Sequence, residues 1–209
     1  MIVPIDNPGQ AYLKRYWNPL PEERLALSFD EAATRLRELF LESVQLHLRS
    51  DVPLGTALSG GIDSSSIVSA IRYLEPQAEI HTFSFIPGEN IALSEEHWVD
   101  MVGRYVGAYM HKVRPRPEEL PRDLDDLILA QDEPFGSTSI YAQYRVFRSA
   151  RENGIKVMLD GQGADELLAG YSRYYVARAL SCVRNVLTIL SNLLLGFGVC
   201  LLLEELFTC

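Results

Sequence analysis

The chain has 209 residues, enough for one domain with a sizeable core. Its composition is that of an ordinary soluble protein, 47% apolar and 22% charged, and its net charge of −9 excludes a nucleic-acid backbone as main partner, since such footprints are basic. No cationic stretch followed by an apolar core opens it, so no signal peptide is expected. Cys182, Cys200 and Cys209 show neither disulfide nor C-x-x-C spacing, which fits a reducing, cytoplasmic setting.

Residues 1–27, broken by Pro4, Pro8, Pro19 and Pro21, read as an irregular arm. Ser28 and Glu31 form a capping-box signature for a helix with Leu36, Leu39, Phe40, Val44 and Leu48 on one face. Asp51-Val52-Pro53 ends that helix. A buried strand is expected from Leu54 to Leu58, then a glycine-serine turn, then a helix carrying Ile67, Val68, Ala70, Ile71 and Leu74. Ile80 to Ile86 reads as the next strand. Ser94 caps a helix with Glu95 and Glu96 in its first turn and Trp98, Val102, Tyr105 and Val106 on its apolar face. Tyr109 to Val113 is expected as a strand, Pro117 to Gln131 and Ser139 to Glu152 as helices, and Ile155 to Leu159 as a further buried strand. Strands alternating with helices give an α/β fold: a doubly wound parallel sheet with helices on both faces. Residues 28–180 are assigned to it, and 181–209 form an apolar tail.

Two loops follow strand ends, where ligands of such folds bind. In the first, Leu58-Ser59-Gly60-Gly61-Ile62-Asp63-Ser64-Ser65, the glycines admit close backbone approach and the helix start offers N–H groups without internal partners. Ser59, Ser64 and Ser65 add hydroxyls, and Asp63 adds a carboxylate for a cation. Without a lysine this is not the P-loop of the common nucleotidases. The second loop, Asp160-Gly161-Gln162-Gly163-Ala164-Asp165-Glu166, places three carboxylates within seven residues. A magnesium ion bridging phosphates takes one or two protein carboxylates, and Asp63 and Asp165 could supply them.

The first loop resembles the S-G-G-x-D-S pyrophosphate loop of ATP pyrophosphatases. With the second loop, the strand His81–Ile86 and Asp132-Glu133-Pro134, residues from about 10 to 175 resemble the synthetase domain of glutamine-hydrolysing asparagine synthetase. The resemblance implies an adenine nucleotide alpha hydrolase-like fold. It implies ATP and magnesium as cofactors, with the pyrophosphate portion at Ser59, Gly60, Gly61, Asp63, Ser64 and Ser65. It implies magnesium on Asp63 and Asp165, and adenine read at Leu58, Phe85 and Gly161. It also implies a homodimer, and aspartate, ATP and ammonia drawn from glutamine as substrates. Aspartate would attack the α-phosphorus, giving β-aspartyl-AMP and pyrophosphate, and ammonia would then displace AMP. Relatives acting on other carboxylates, such as β-lactam-forming or glycan- and peptide-amidating enzymes, share these motifs, and a non-catalytic ATP-binding remnant is the competing reading from another class.

Three departures from the family pattern stand out. Ile2 follows Met1, so no glutaminase nucleophile is expected there, and no glutamine hydrolysis. Gln162 stands where several relatives carry a glutamate, and an amide is no general base. No lysine follows the second loop, and residues 186–203 carry no charge. That tail meets the lower length limit of a membrane span. Ser191, Asn192, Gly196 and Gly198 weaken it, and it is read as a core helix without partners or an aberrant terminus, with the family chain truncated at both ends. The four histidines are assigned to structural or exposed positions, Trp98 and the tyrosines to core packing, and Arg145, Arg148 and Arg151 to a solvated helix face.

Overall fold

The computed structural model describes residues 1–18, 25–88 and 94–184. The uncharged tail at 186–203 lies outside the described residues. Two compact units are distinguished, Met1–Ser43 and Val44–Cys209.

In the first unit the arm holds a short 3-10 turn at Pro8–Gln10 and an isolated antiparallel bridge between Ile2 and Tyr12. Helix α1 (Phe29–His47) begins here. Its capping box is formed reciprocally: the Ser28 N–H donates to Glu31 Oε2 at 2.8 Å and the Glu31 N–H donates to Ser28 Oγ at 3.3 Å. Two helix-end donors are thereby satisfied without tertiary help.

The second unit is a four-stranded parallel sheet, β1 (Leu54–Ala57), β2 (His81–Phe85), β3 (Tyr109–Val113) and β4 (Val157–Leu159), in the order β3-β2-β1-β4. The crossovers are α2 (Ile62–Leu74), α3 (Glu96–Val106) and the pair α4 (Leu120–Gln131) and α5 (Ser139–Glu152). A short α6 (Ala164–Leu168) follows β4, and residues 172–184 are helical. Parallel crossovers are right-handed almost without exception. Since β1 leads outward to β2 and β3 while β4 returns on the other side of β1, α2 and α3 cover one face and α4 and α5 the other. The chain is therefore doubly wound, as its pattern implies.

Side chains of β2 alternate between the two layers. Phe83 packs with Val146 and Ala150 of α5, Ile155 and Met158, while Thr82 and Ser84 point away from that cluster. Opposite lie Val68 and Ile71 of α2 and Val99 and Val106 of α3, all buried. Gly55 holds this geometry: a Cβ there would stand 3.0 Å from each of Phe83, Ile155 and Met158.

Two assignments are corrected. Arg145 of α5 does not belong to a solvated face, and Arg148, though exposed, is ion-paired to α4. Arg145 Nη1 donates to Asp123 Oδ2 at 2.8 Å and to the Tyr141 hydroxyl at 2.9 Å, and it pairs with Glu119. Tyr141 in turn donates to Asp123 at 2.9 Å, and Arg148 Nη1 reaches Asp123 Oδ1 at 2.8 Å. Asp123 is buried, so α4 presents an acid that α5 must neutralise. Arg148 and Arg151 are exposed, as expected. Trp98, assigned to core packing, is 53% exposed.

Candidate functional site

Strands β1 and β4 are neighbours, and the strand order reverses between them: β2 and β3 lie on one side of β1, and β4 on the other. Crevices at such a reversal, at the carboxyl ends of the strands, are where open α/β sheets bind ligands. Both glycine-bearing loops leave from this point, residues 58–61 after β1 and 160–163 after β4. They touch. A Cβ on Gly161 would lie 3.1 Å from Asp63 Cβ and 3.3 Å from the Ser64 nitrogen. Any side chain at 161 would push the two loops apart, so this glycine serves the approach of one loop to the other.

The first loop is wired internally. Leu58, fully buried, donates its N–H to Phe83 O at 3.0 Å and so stays tied to the sheet. The Ser59 N–H donates to Ser64 Oγ at 3.2 Å, the two hydroxyls stand 3.0 Å apart, and the Gly61 N–H donates to Ser59 Oγ at 3.2 Å. Ser64 is buried and braces the loop, while Ser59 is exposed at its mouth. Ser65 Oγ is buried without a partner, as are the hydroxyls of Thr82 and Ser84. Helix-type backbone bonding begins with the Ser65 N–H to Gly61 O at 3.0 Å, and Gly61 caps α2 without a side chain. The first N–H groups of a 13-residue helix are thus turned toward the crevice.

Asp63 lies in the first turn of α2 and Asp165 in the first turn of α6, both half-buried. Among the described residues no group of three or more His, Cys, Asp or Glu is arranged for a metal. Two carboxylates beside touching loops suit a hard cation that takes its remaining ligands from phosphate and water.

Beside the loops opens a cleft of about 650 Å³, within the range of ligand pockets. Phe85, Ile86 and Ile140 supply apolar wall, and Ser59, Asp160 and Gln162 the polar rim. Of the three positions expected to read adenine, Phe85 lines the cleft, and Leu58 and Gly161 do not. Gln143 and the paired acids Glu95 and Glu96 also line it. Pattern reading missed these three: Gln143 looks like any helix position, and the acids look like ordinary first-turn residues of α3. Glu96 is held down to about 2 by its hydrogen bond from Arg114 and then by Lys112, and stays ionised.

The whole sheet-and-loop region, residues 35–196, matches the family model described as asparagine synthase. The chain belongs to the asparagine synthase family. It is 29% identical over 173 residues to the putative glutamine-hydrolyzing asparagine synthetase 2 of Methanocaldococcus jannaschii, covering 83% of this chain and 33% of that protein. It is 30% identical over 186 residues to glutamine-hydrolyzing asparagine synthetase 1 of Bacillus subtilis, covering 89% and 28%. The chain therefore spans a third or less of the length of these relatives. Among solved structures it is similar to the NH3-dependent NAD synthetase of Campylobacter jejuni, with a TM-score of 0.44, 16% identity, and coverage of 66% of this chain and 60% of that one. Among the described residues no helix is long and apolar enough to cross a membrane.

Proposed function

We propose that this chain carries the nucleotide-binding centre of an ATP-dependent amide-forming ligase that converts aspartate to asparagine in the cytoplasm. The carrying observation is the meeting of two strand-end loops at the reversal of strand order, with Asp63 at the contact and Asp165 in the first turn of the helix that follows the second loop. The family to which the chain belongs supports the choice of ATP over other phosphate ligands.

A carboxylate does not accept ammonia until one of its oxygens becomes a good leaving group. Attack of the aspartate side-chain carboxylate on the α-phosphorus forms the C–O–P linkage of β-aspartyl-AMP as the bond to pyrophosphate breaks. Ammonia drawn from glutamine then adds to the acyl carbon, AMP leaves, and the nitrogen sheds a proton. The residues here orient and neutralise. The loop at 58–61 and the first turn of α2 would cradle the phosphates with N–H dipoles, while Phe85 and the apolar wall exclude water from the base. Magnesium held by Asp63 and Asp165 would neutralise charge on the leaving pyrophosphate. Gln162, an amide on the cleft rim, can hydrogen-bond a substrate but cannot take its proton.

The test has two arms. Calorimetry should show Mg-ATP binding that Asp63→Ala weakens while the fold persists, and equal affinity of the two proteins would refute the site. Pyrophosphate release should then be stimulated by aspartate above a panel of other carboxylates. Release with another acid alone would move the substrate assignment, and binding without release would leave a nucleotide-binding module.

A further inference from the structure

The phosphate loop is seated on α3 as well as braced from within. At Gly60 a Cβ would stand 2.9 Å from Trp98 Cβ, 3.1 Å from the Glu95 carbonyl oxygen and 3.3 Å from the Val99 nitrogen. These atoms all belong to the start of α3, so the loop tip cannot shift without carrying that turn with it.

The same turn is fastened by charge. Glu96 accepts from Lys112 Nζ at 2.7 Å and from Arg114, both at the carboxyl end of β3. Lys112 also pairs with Asp100, one turn further along α3. Strand β3 is the sheet edge, two strands from β1. Partly exposed ion pairs of this kind add little to stability, so stability does not account for a three-way cluster at this spot. Position does. Glu96 also lines the cleft, where an unbalanced carboxylate would repel a triphosphate, and its two cations cancel that repulsion.

We infer that Glu96, with Lys112 and Arg114, is the positioning cluster of the phosphate loop: it holds the first turn of α3 where it seats Gly60 and so sets the loop geometry that receives the triphosphate. The inference rests on the ATP reading above for its ligand, though its structural half, control of the loop from β3, does not.

The full chain and its Glu96→Gln, Lys112→Gln and Lys112→Arg variants are compared by hydrogen exchange at the amides of residues 59–64 and by calorimetry with Mg-ATP and with adenosine. Glu96→Gln and Lys112→Gln should speed exchange in the loop while leaving the β1 and β2 amides protected. Both should raise the Kd for Mg-ATP roughly three- to thirtyfold with adenosine unchanged, and Lys112→Arg should restore both readouts. Loop exchange unchanged in both charge-removing variants would overturn the inference, as would equal weakening of adenosine and Mg-ATP. If Glu96→Gln fails to fold, Lys112→Gln, which leaves the Arg114 pair in place, decides the matter. A wild-type chain that binds no Mg-ATP but whose loop exchange responds to the variants would refute the nucleotide assignment and uphold the positioning role.

Discussion

Adjacent glycines in the first loop have different duties. Gly60 has φ +91° and no room for a side chain, whereas Gly61 sits at φ −69° with only Ser59 Oγ near, at 3.3 Å. Gly60→Ala should therefore cost about 1–3 kcal/mol, from backbone strain and the clash with α3. Gly61→Ala should change stability by no more than about 0.5 kcal/mol. Urea midpoints of the two variants check the pair, and equal losses would contradict the geometry. Both glycines look alike in the motif, and only the position of α3 distinguishes them.

At the scale of elements, short-range chemistry and tertiary pairing divide the work. The start of α1 is local: Ser28→Ala removes both of its side-chain bonds, at a cost of about 1 kcal/mol. Faster exchange at the Glu31 amide would register that loss. The joint between α4 and α5 is long-range. Burial pushes the Asp123 carboxyl up, but the Tyr141 hydrogen bond and the charges of Arg145 and Arg148 outweigh it and hold the group below its ordinary 3.8. Glu119 is held below 4.5, chiefly by Arg145. Carboxyls depressed in the folded state lend stability above their unfolded values, and that stability is lost as pH falls through the folded ones. Denaturation midpoints of the wild type should thus drop below about pH 4. Asp123→Asn should start about 1–3 kcal/mol lower at pH 7 and lose less on acidification. An identical acid slope in the two proteins would show that the network carries no linkage.

Across the whole molecule a second, milder acid window is expected. His81 Nδ1 and His111 Nε2 lie 3.0 Å apart, and His111 stacks on Phe83 at 4.6 Å. Burial, with the His81 charge behind it, keeps His111 below 6.5. A base depressed in the folded state costs stability when the unfolded chain takes up its proton, so the loss begins as pH falls through 6.5. The wild-type midpoint should decline as pH falls below about 6.5, and His111→Phe should remove that decline. A decline unaltered by the substitution would place its origin elsewhere.

Strand and helix identities, the Ser28 cap and the parallel class were legible in the chain, because each depends on periodicity or on residues within a turn of one another. So were the two loops, since a glycine-bearing turn between a buried strand and a helix start is written in consecutive residues. What sits across from them was not. That Gly60 rests on α3, that Arg145 serves Asp123, and that Glu95, Glu96 and Gln143 line the cleft all depend on contacts between residues far apart in the chain. No local pattern encodes such distances. The sequence alone determined which segments could meet a phosphate and which could build a parallel sheet. Only the tertiary structure decided which side chains are spent holding the loop and which remain to face a ligand, because packing against a neighbouring element, and not residue type, settles where a side chain can point.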